Sequence, residues 1–222
     1  MKKISVFLIF TILVITCVCF VGCGSNDVPD NTPPKSITLG NYMYTAMGSE
    51  GPIEWDVLKV EDGKALIISH YVLTELKFDN GGSNNYADSS IRKFLNQDFY
   101  DMAFTEEEKA RILTTTVDNS AATTEDAQNV FACENTEDKI FLLSYKEAGA
   151  IYYPLTENRI AEGTKWAYNL RGDYTAEYTF DWWTRSPSVV GGAARTITKE
   201  GKISSVTAST YKGVRPACWV TL

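Results

Sequence analysis

The segment Phe180–Pro187 constrains the fold most, because it places two adjacent indoles among a carboxylate, a guanidinium and a proline. If the segment is a strand, Trp182 and Trp183 point to opposite faces of its sheet. We therefore expect at most one indole to lie in the core, while the other meets solvent or a loop. The domain is expected to fold around this segment, and the open question is whether it also binds with it.

Two interpretations of this segment remain open. In the first, it forms a platform for a sugar or peptide, since indole faces grip such ligands and a few polar groups orient them. The platform residues are then Tyr178, Asp181, Trp183 and Arg185. In the second, both indoles belong to the core, and Arg185 and Arg215 pair with buried carboxylates. The core residues expected on the second interpretation are Trp55, Trp182, Arg215 and Trp219.

Residues 1–22 are typical of a secretory signal peptide, because a short basic start precedes the apolar block Ile4–Val21. The block ends in Gly22 and Cys23, which resemble the bacterial lipobox, where the cysteine is diacylated and becomes the new N-terminus. A membrane-spanning anchor is the alternative, since the block is nearly long enough to cross a bilayer. Two acyl chains anchor stably, so we predict an exported protein held at the extracytoplasmic face of the cell membrane by a diacylglyceryl group on Cys23.

The mature chain is acidic and suits a single domain. Loss of the two charges of Lys2 and Lys3 with the signal takes the formal charge from −7 to −9. Such a chain is a poor candidate for binding nucleic acid or anionic lipid surfaces. Residues 23–36 comprise the lipidated cysteine and a polar, proline-rich stretch, which predicts a flexible tether. We expect one domain over residues 37–222.

Cys133 and Cys218 remain once the signal is removed and Cys23 is lipidated. An even number of cysteines in an oxidising compartment is compatible with a disulfide. A bridge across so long a loop would stabilise the fold by ~4 kcal/mol in the chain-entropy model. The alternative is two unpaired thiols, with Cys218 buried and Cys133 in a polar loop.

Alternating patterns predict two β-hairpins. Residues 53–60 and 64–69 flank a turn that contains Asp62 and Gly63, and residues 194–198 and 203–208 flank a second turn. Pro216 donates no hydrogen bond, so we expect the final strand to be bulged or at an edge there. A short strand is also expected at 139–143.

Three helices are predicted from their start signals. Ser89 or Ser90 precedes apolar residues at helical spacing, and Thr105–Glu108 and Ser144–Glu147 are capping boxes. The polar loop 78–90 is rich in oxygen ligands but lacks the spacing of an EF-hand, so we interpret it as turn and cap chemistry without metal.

Several segments occur in an order that resembles a known family. They are Pro52–Leu58, Ala65–Ser69, Ser90–Asn96, Asp138–Ser144, Trp182–Pro187 and Gly213–Ala217. Together they resemble DUF6273, a domain of unknown function in bacterial surface and exported proteins. The resemblance implies a C-type-lectin-like, formylglycine-generating-enzyme-like α+β fold. Such a fold has twisted antiparallel sheets, two to three short helices packed on one side, and N- and C-terminal strands close together.

The resemblance also bears on function. A motif shared across a family is more often scaffold than site, so it favours the core interpretation of Phe180–Pro187 and moves any site to the loops at 154–179 and 187–194. Cys133 and Cys218 depart from the family pattern together, which mildly favours their pairing. We predict a non-enzymatic protein without cofactor or metal that binds an extracellular glycan, peptide or protein.

The alternatives are a structural or protein-interaction module and, more remotely, a thiol enzyme related to formylglycine-generating enzymes. His70 is the only histidine, so a histidine-based zinc site or a catalytic triad would depend on that one residue. Its position at a strand end suits a structural role.

Overall fold

The computed structural model describes residues 34–170 and 179–222, which form a sheet-rich α+β domain of the class predicted. The strands are β1 (Ser36–Met43), β2 (Glu50–Glu61), β3 (Lys64–Ser69), β4 (Thr74–Lys77), β5 (Thr115–Val117), β6 (Thr136–Asp138), β7 (Trp182–Pro187), β8 (Ala193–Ile197), β9 (Ile203–Thr207), β10 (Tyr211–Val214) and β11 (Ala217–Thr221). The α-helices are α1 (Ser90–Phe94), α2 (Tyr100–Ala103), α3 (Glu106–Arg111) and α4 (Lys165–Leu170). The remaining helical turns are π at Leu95–Phe99 and Glu147–Ile151, and 3₁₀ at Ala121–Thr123 and Thr156–Arg159.

Two larger sheets organise the described residues. The first has four antiparallel strands in the order β1-β2-β3-β11, and the second has five strands in the order β4-β10-β7-β8-β9. Neighbours in the second sheet are antiparallel except β10 and β7, which run parallel where Gly213 lies opposite Trp182. The expectation of antiparallel sheets therefore holds apart from this pair.

The strands β1 and β11 lie in the same sheet but do not pair. They occupy its opposite edges, and β11 pairs with β3 from Ala217 opposite Ile68 to Thr221 opposite Lys64. The expectation that these N- and C-terminal strands lie together was wrong in this respect, because β2 and β3 separate them.

Both predicted hairpins are present. Asp62 and Gly63 join β2 to β3, and their φ angles of 48° and 72° are the positive values that a two-residue type I′ turn requires at both positions. In the second hairpin, Gly201 has a φ of 77°, and a Cβ there would collide with the carbonyl oxygen of Thr156. Glycine is therefore required at residue 201 by its backbone angle and by this close approach.

One strand contains an irregularity, and one strand assignment differs from that expected. β1 continues through Gly40, because a register shift between Thr38 and Asn41 accommodates the φ of 76° at this glycine. Residues 139–143 are not a strand; they are largely buried and make one isolated antiparallel bridge through Phe141. The apolar character of this run reflects burial rather than strand pairing. A short apolar run does not by itself distinguish a strand from another buried segment.

The predicted helix starts are confirmed, although the helices are short. Ser89 caps α1, and Thr105 and Glu108 form a capping box before α3. Ser144 and Glu147 exchange the same two hydrogen bonds, at 2.7 and 3.2 Å, before a turn that widens into a π-helix. In the described parts of the chain, no helix combines the length and hydropathy needed to cross a membrane.

Strand β7 is buried on both faces, so both of its indoles lie in the core. Trp183 belongs to a cluster with Trp55 and Ile91, whereas Trp182 belongs to a second cluster with Phe180. Both tryptophans have 0% exposure. The opposite-face geometry was predicted correctly, but the expectation that one indole meets solvent or a loop was wrong, because each face of the strand has its own apolar cover.

The chain passes between the two larger sheets at two points that lie side by side. Residues 70–73 lead from β3 to β4, and Arg215 and Pro216 lead from β10 to β11. The Ser69 N–H donates to the Pro216 carbonyl at 2.8 Å and joins the two passages. The break expected at Pro216 is thus a passage between sheets, where a missing N–H interrupts no ladder.

Candidate functional site

A cavity of about 480 Å³ opens beside these two passages. We name it the junction cleft and define it by Asp56, His70 and Arg215 on one side and by the segment 157–162 with Thr179 on the other. Its volume lies within the roughly 300–1,000 Å³ of small-molecule sites. The segment 157–162 falls within the loops at 154–179 to which the sequence assigned a site.

Arg215 is the buried anchor of the junction cleft, with 3% exposure. Its Nε donates to the carbonyl of Ser69 at 2.7 Å, and its Nη2 donates to Oδ2 of Asp56 at 3.0 Å. The guanidinium carbon lies 5.3 Å from the ring centroid of Trp182 and 5.5 Å from that of Tyr153. A buried charge requires such pairing, because removal from water is otherwise very costly.

Two polar groups near this anchor have no hydrogen-bond partner among the described residues. They are Nη1 of Arg215 and the hydroxyl of Tyr153, and both are buried. Burial raises the pKa of Tyr153 above its ordinary value, and the charge of Arg215 partly offsets that effect. Tyr153 does not line the junction cleft, and its hydroxyl interacts with the Arg215 side chain. Of the two groups, only Nη1 of Arg215 therefore belongs to the wall of the cleft, where a buried donor without a partner is uncommon.

Asp56 connects this buried cation to the half-exposed His70. Its Oδ1 lies 2.8 Å from Nδ1 of His70, while its other oxygen accepts from Arg215. The centroids of the His70 and Tyr71 rings lie 4.7 Å apart in an edge-on arrangement. The backbone N–H of His70 donates to the Glu54 carbonyl. These contacts fix the ring orientation at the mouth of the cleft and leave Nε2 without a hydrogen bond to any described group.

Backbone hydrogen bonds hold the opposite side of the junction cleft against the passage at 70–73. The Val72 N–H donates to the Glu162 carbonyl at 2.8 Å, and the Thr164 N–H donates to the Val72 carbonyl at 2.9 Å. Glu162 and Glu157 are exposed. With Asp56, they leave the cleft acidic despite the charge of Arg215.

The platform predicted in Phe180–Pro187 does not form. Trp183 is buried, and its Nε1 donates to the Leu76 carbonyl at 2.8 Å. Asp181 accepts from the Lys199 N–H at 2.8 Å and from Lys212 Nζ at 2.5 Å. The packing of β7 therefore leaves no indole face for a ligand here. Tyr178, the remaining platform residue that the sequence suggested, lies outside the described residues.

Arg185 is also a core residue, with 3% exposure. Its Nη1 donates to the Leu142 carbonyl at 2.7 Å and to Glu147, and its Nη2 donates to the Asp118 carbonyl at 3.0 Å. Burial works against the charge of Glu147, but Arg185 and the Ser144 hydrogen bonds lower the pKa of this carboxyl below its ordinary value. The predicted pairing of Arg185 and Arg215 with carboxylates is confirmed, although these carboxylates are only partly buried.

The remaining predicted core residues are placed largely as expected. Trp55 and Trp182 are fully buried, and their indole N–H groups donate to the carbonyls of Leu39 and Arg159 at 2.8 and 3.0 Å. Trp219 is only partly buried; it lies on the edge strand β11 and points to the face opposite to that of the buried Cys218 and Val220.

Cys133 and Cys218 are free thiols, so the candidate disulfide is not formed in this structure. Cys218 lies in the core on β11, and Cys133 is partly buried against the same cluster. Burial raises the pKa of both thiols. Because the thiolate is the reactive form, neither environment favours a thiol nucleophile.

In the loop 78–90, the carboxylate of Asp79 accepts hydrogen bonds from the backbone of the same loop. Asp79 accepts from the N–H groups of Gly81, Ser83 and Ser90 at 2.9, 3.0 and 3.1 Å. Although burial acts in the opposite direction, these hydrogen bonds lower the pKa of Asp79. Among the described residues, no three His, Cys, Asp or Glu side chains are grouped to hold a metal ion.

The family model described as "Domain of unknown function (DUF6273)" matches residues 62–222. Among curated proteins and solved structures, nothing matches the chain at a significant level. The matched range includes His70, Arg215 and the segment 157–162, and Asp56 lies shortly before it. Most of the junction cleft is therefore built from the part of the chain that the family model covers.

Proposed function

Because the chain belongs to the DUF6273 family, for which the description assigns no function, we propose that it is a non-enzymatic, lipid-anchored, extracytoplasmic protein that binds a ligand in the junction cleft. In this proposal the domain has a C-type-lectin-like fold, and residues 24–36 tether it to the membrane through Cys23. The predicted ligand is a small polar group of a glycan or peptide.

The observation that carries the proposal is the chain of contacts from the buried Arg215 through Asp56 to the half-exposed His70. Binding sites need polar groups whose orientation is fixed before the ligand arrives, and this arrangement supplies them at the wall of a cavity. The exposed Glu157 and Glu162 make the opening acidic. This charge favours a ligand with an amino group among hydroxyl or amide groups, such as an amino sugar or a peptide N-terminus.

Binding without chemistry is favoured by the composition of the cleft. The described residues that line it include no serine or cysteine, and the hydrogen-bond partner of His70 is Asp56 rather than Thr179, the threonine of the lining. His70 is therefore not paired with a nucleophile it could activate. The raised pKa of Cys133 and of Cys218 argues against the thiol-enzyme alternative.

Calorimetric titration tests the ligand-binding proposal. The full chain in detergent micelles is titrated with glucosamine and alanyl-alanine, and with their N-acetylated forms. We expect the free amines to bind more tightly, and Glu162→Gln and His70→Ala each to weaken binding about tenfold. The control Glu200→Gln removes an exposed carboxylate outside the cleft and should change nothing. Absence of binding by the free amines, or binding unaffected by His70→Ala, would contradict the proposal.

Fatty-acid labelling tests the anchor separately. In a bacterial host, the wild-type chain should incorporate labelled palmitate and sediment with membranes. Cys23→Ala should lose the label, whereas Cys19→Ala should retain it. Equal labelling of the Cys23→Ala chain would contradict the lipidation.

An interaction module is the second candidate, favoured by exposed apolar side chains on adjoining loops. Val130, Val189 and Val190 are 86%, 47% and 62% exposed. Asn129 Nδ2 donates to the Pro187 carbonyl at 3.2 Å and brings these loops together. If this surface mediates self-association, Val130→Ser with Val190→Ser should lower the sedimentation coefficient at high concentration. Unchanged sedimentation would contradict self-association through it.

A further inference from the structure

A second cavity, of about 400 Å³, lies between α1 with its following π-helical turn and the edge formed by β4 and β10. We name it the helix–strand groove. Its apolar base includes Leu76 and the fully buried Ile91. None of its lining residues lines the junction cleft, so it is an independent site.

Tyr211 forms an aromatic wall at the rim of this groove. It pairs with Lys77 across the β10–β4 ladder, and the Lys77 ammonium lies 5.4 Å from the ring centroid. Such a cation–π contact favours a fixed ring position. Tyr211 is nevertheless 60% exposed. An aromatic side chain fixed on a strand and open to solvent is suited to stacking against an apolar face of a ligand.

Four polar side chains of the groove make no hydrogen bond or ion pair within the described chain. The amides of Asn80 and Gln97, the ammonium of Lys93 and the carboxylate of Asp98 line the cavity and are exposed. None of these four side-chain groups hydrogen-bonds or forms an ion pair with another described residue. Amides both donate and accept hydrogen bonds, which matches the paired hydroxyl groups of sugars.

We propose that the helix–strand groove binds an acidic polysaccharide, whose carboxylates lie on hydroxyl-bearing sugar rings. Tyr211 stacks on a sugar ring, the amides bind its hydroxyls, and Lys77 and Lys93 face its carboxylates. Asp98 accepts hydrogen bonds from ring hydroxyls, which the deoxyribose rings within a DNA strand lack.

Titration of the full chain in detergent micelles tests this assignment. The probes are a galacturonate hexamer, a glucose hexamer and a deoxythymidine hexamer. We expect the galacturonate hexamer to bind most tightly and Tyr211→Ala to weaken it about tenfold. Lys93→Ala should weaken it less and reduce its salt dependence. Far-ultraviolet circular dichroism checks that the variants are folded.

Two controls keep the result specific. Tyr44→Ala removes another exposed tyrosine, and Lys202→Ala removes another exposed lysine, both outside the groove; neither should change the affinity. The proposal is overturned if the galacturonate hexamer does not bind, if the glucose hexamer or the oligonucleotide binds as tightly, or if Tyr211→Ala has no effect. Since the junction cleft shares no residue with the groove, failure here leaves the amine-ligand proposal standing.

Discussion

Arg185 and Arg215 occupy two regions of the fold that resemble each other in burial and differ in what lies next to them. Each is 3% exposed, and each pairs with a partly buried carboxylate and with backbone carbonyls. Each also has one buried nitrogen without a partner among the described residues. Around Arg185, the partner Glu147 is engaged by the backbone of Ser144. Around Arg215, the partner Asp56 turns its second oxygen to His70 at an open cleft.

The difference shows that a buried arginine does not by itself indicate function in this fold. Arg185 connects β7 to the segment that contains β5 and to residues 139–143, through the carbonyls of Asp118 and Leu142. Arg215 fastens the two passages between the sheets and also helps to orient the half-exposed His70 through Asp56. The candidate site is distinguished by His70, which lies next to the Arg215–Asp56 ion pair and is half exposed at a cleft.

The largest expected effect is the loss of the enclosed arginine. Arg185→Leu removes the cation from Glu147 and leaves two backbone carbonyls without their donor, so we expect unfolding to become easier by about 3–5 kcal/mol. Urea denaturation measures the change. Arg111→Leu, which loses one carbonyl contact on a partly buried arginine, is the control and should cost far less. A similar cost for both would contradict the structural role assigned to Arg185.

A smaller effect is expected at the cleft. Arg215→Leu leaves Asp56 with one-third of its side chain exposed and with His70 beside it, so water and the imidazole partly replace the lost cation. We expect a loss of about 2 kcal/mol in the same denaturation experiment. A cost equal to that of Arg185→Leu would remove the distinction between the two regions.

The Arg185–Glu147 ion pair should also make the stability of the protein depend on pH. The pKa of Glu147 is lowered from its ordinary 4.5, so its contribution to stability is present above pH 4.5 and is lost as the pH falls through the folded-state value. Glu147→Gln lacks this contribution throughout. We expect the wild-type advantage in urea midpoint to shrink between pH 6 and pH 3. An advantage that stayed constant with pH would rule out the ionised pair.

The smallest expected effect on folding is that of His70→Ala. The His70–Asp56 contact is half exposed, and exposed pairs contribute about 0–1 kcal/mol. The thermal midpoint should therefore change little, while binding in the junction cleft weakens about tenfold. A large drop in the midpoint would make His70 a structural residue, as its strand-end position suggested.

Much of the local structure could be predicted because its causes are local. Asp62 and Gly63 carry the turn chemistry of a hairpin, and Thr105 with Glu108 carries that of a helix start. The paired indoles of β7 correctly indicated opposite faces. The family resemblance favoured burial of both indoles, but the segments that cover each face were not predictable, because they are distant in the chain, such as the helices that follow Ser89.

Of the junction cleft, only the segment 157–162 and Thr179 lie in loops where the sequence predicted a site, and the pairing of Asp56 with Arg215 could not be predicted for the same physical reason. Asp56 and Arg215 are separated by 159 positions, and only the order of strands in the two sheets brings them together. Two sequence signals pointed towards it: the polar Ser69 and His70 at a strand end, and the proline after Arg215. Each marks a place where the chain leaves one sheet, and their proximity becomes evident only in the folded chain.

The two adjacent passages between the sheets have a consequence for the order of folding. β10 pairs with β4 and β7 in one sheet, and β11 pairs with β3 in the other, with Ala217 opposite Ile68. Contacts between such distant positions form slowly, because a long loop must close first. Neither sheet reaches its full set of strands until the last strands have been synthesised. A nascent chain that stops short of residue 211 therefore exposes strand edges in both sheets, and it would be a substrate for chaperones rather than a smaller folded domain.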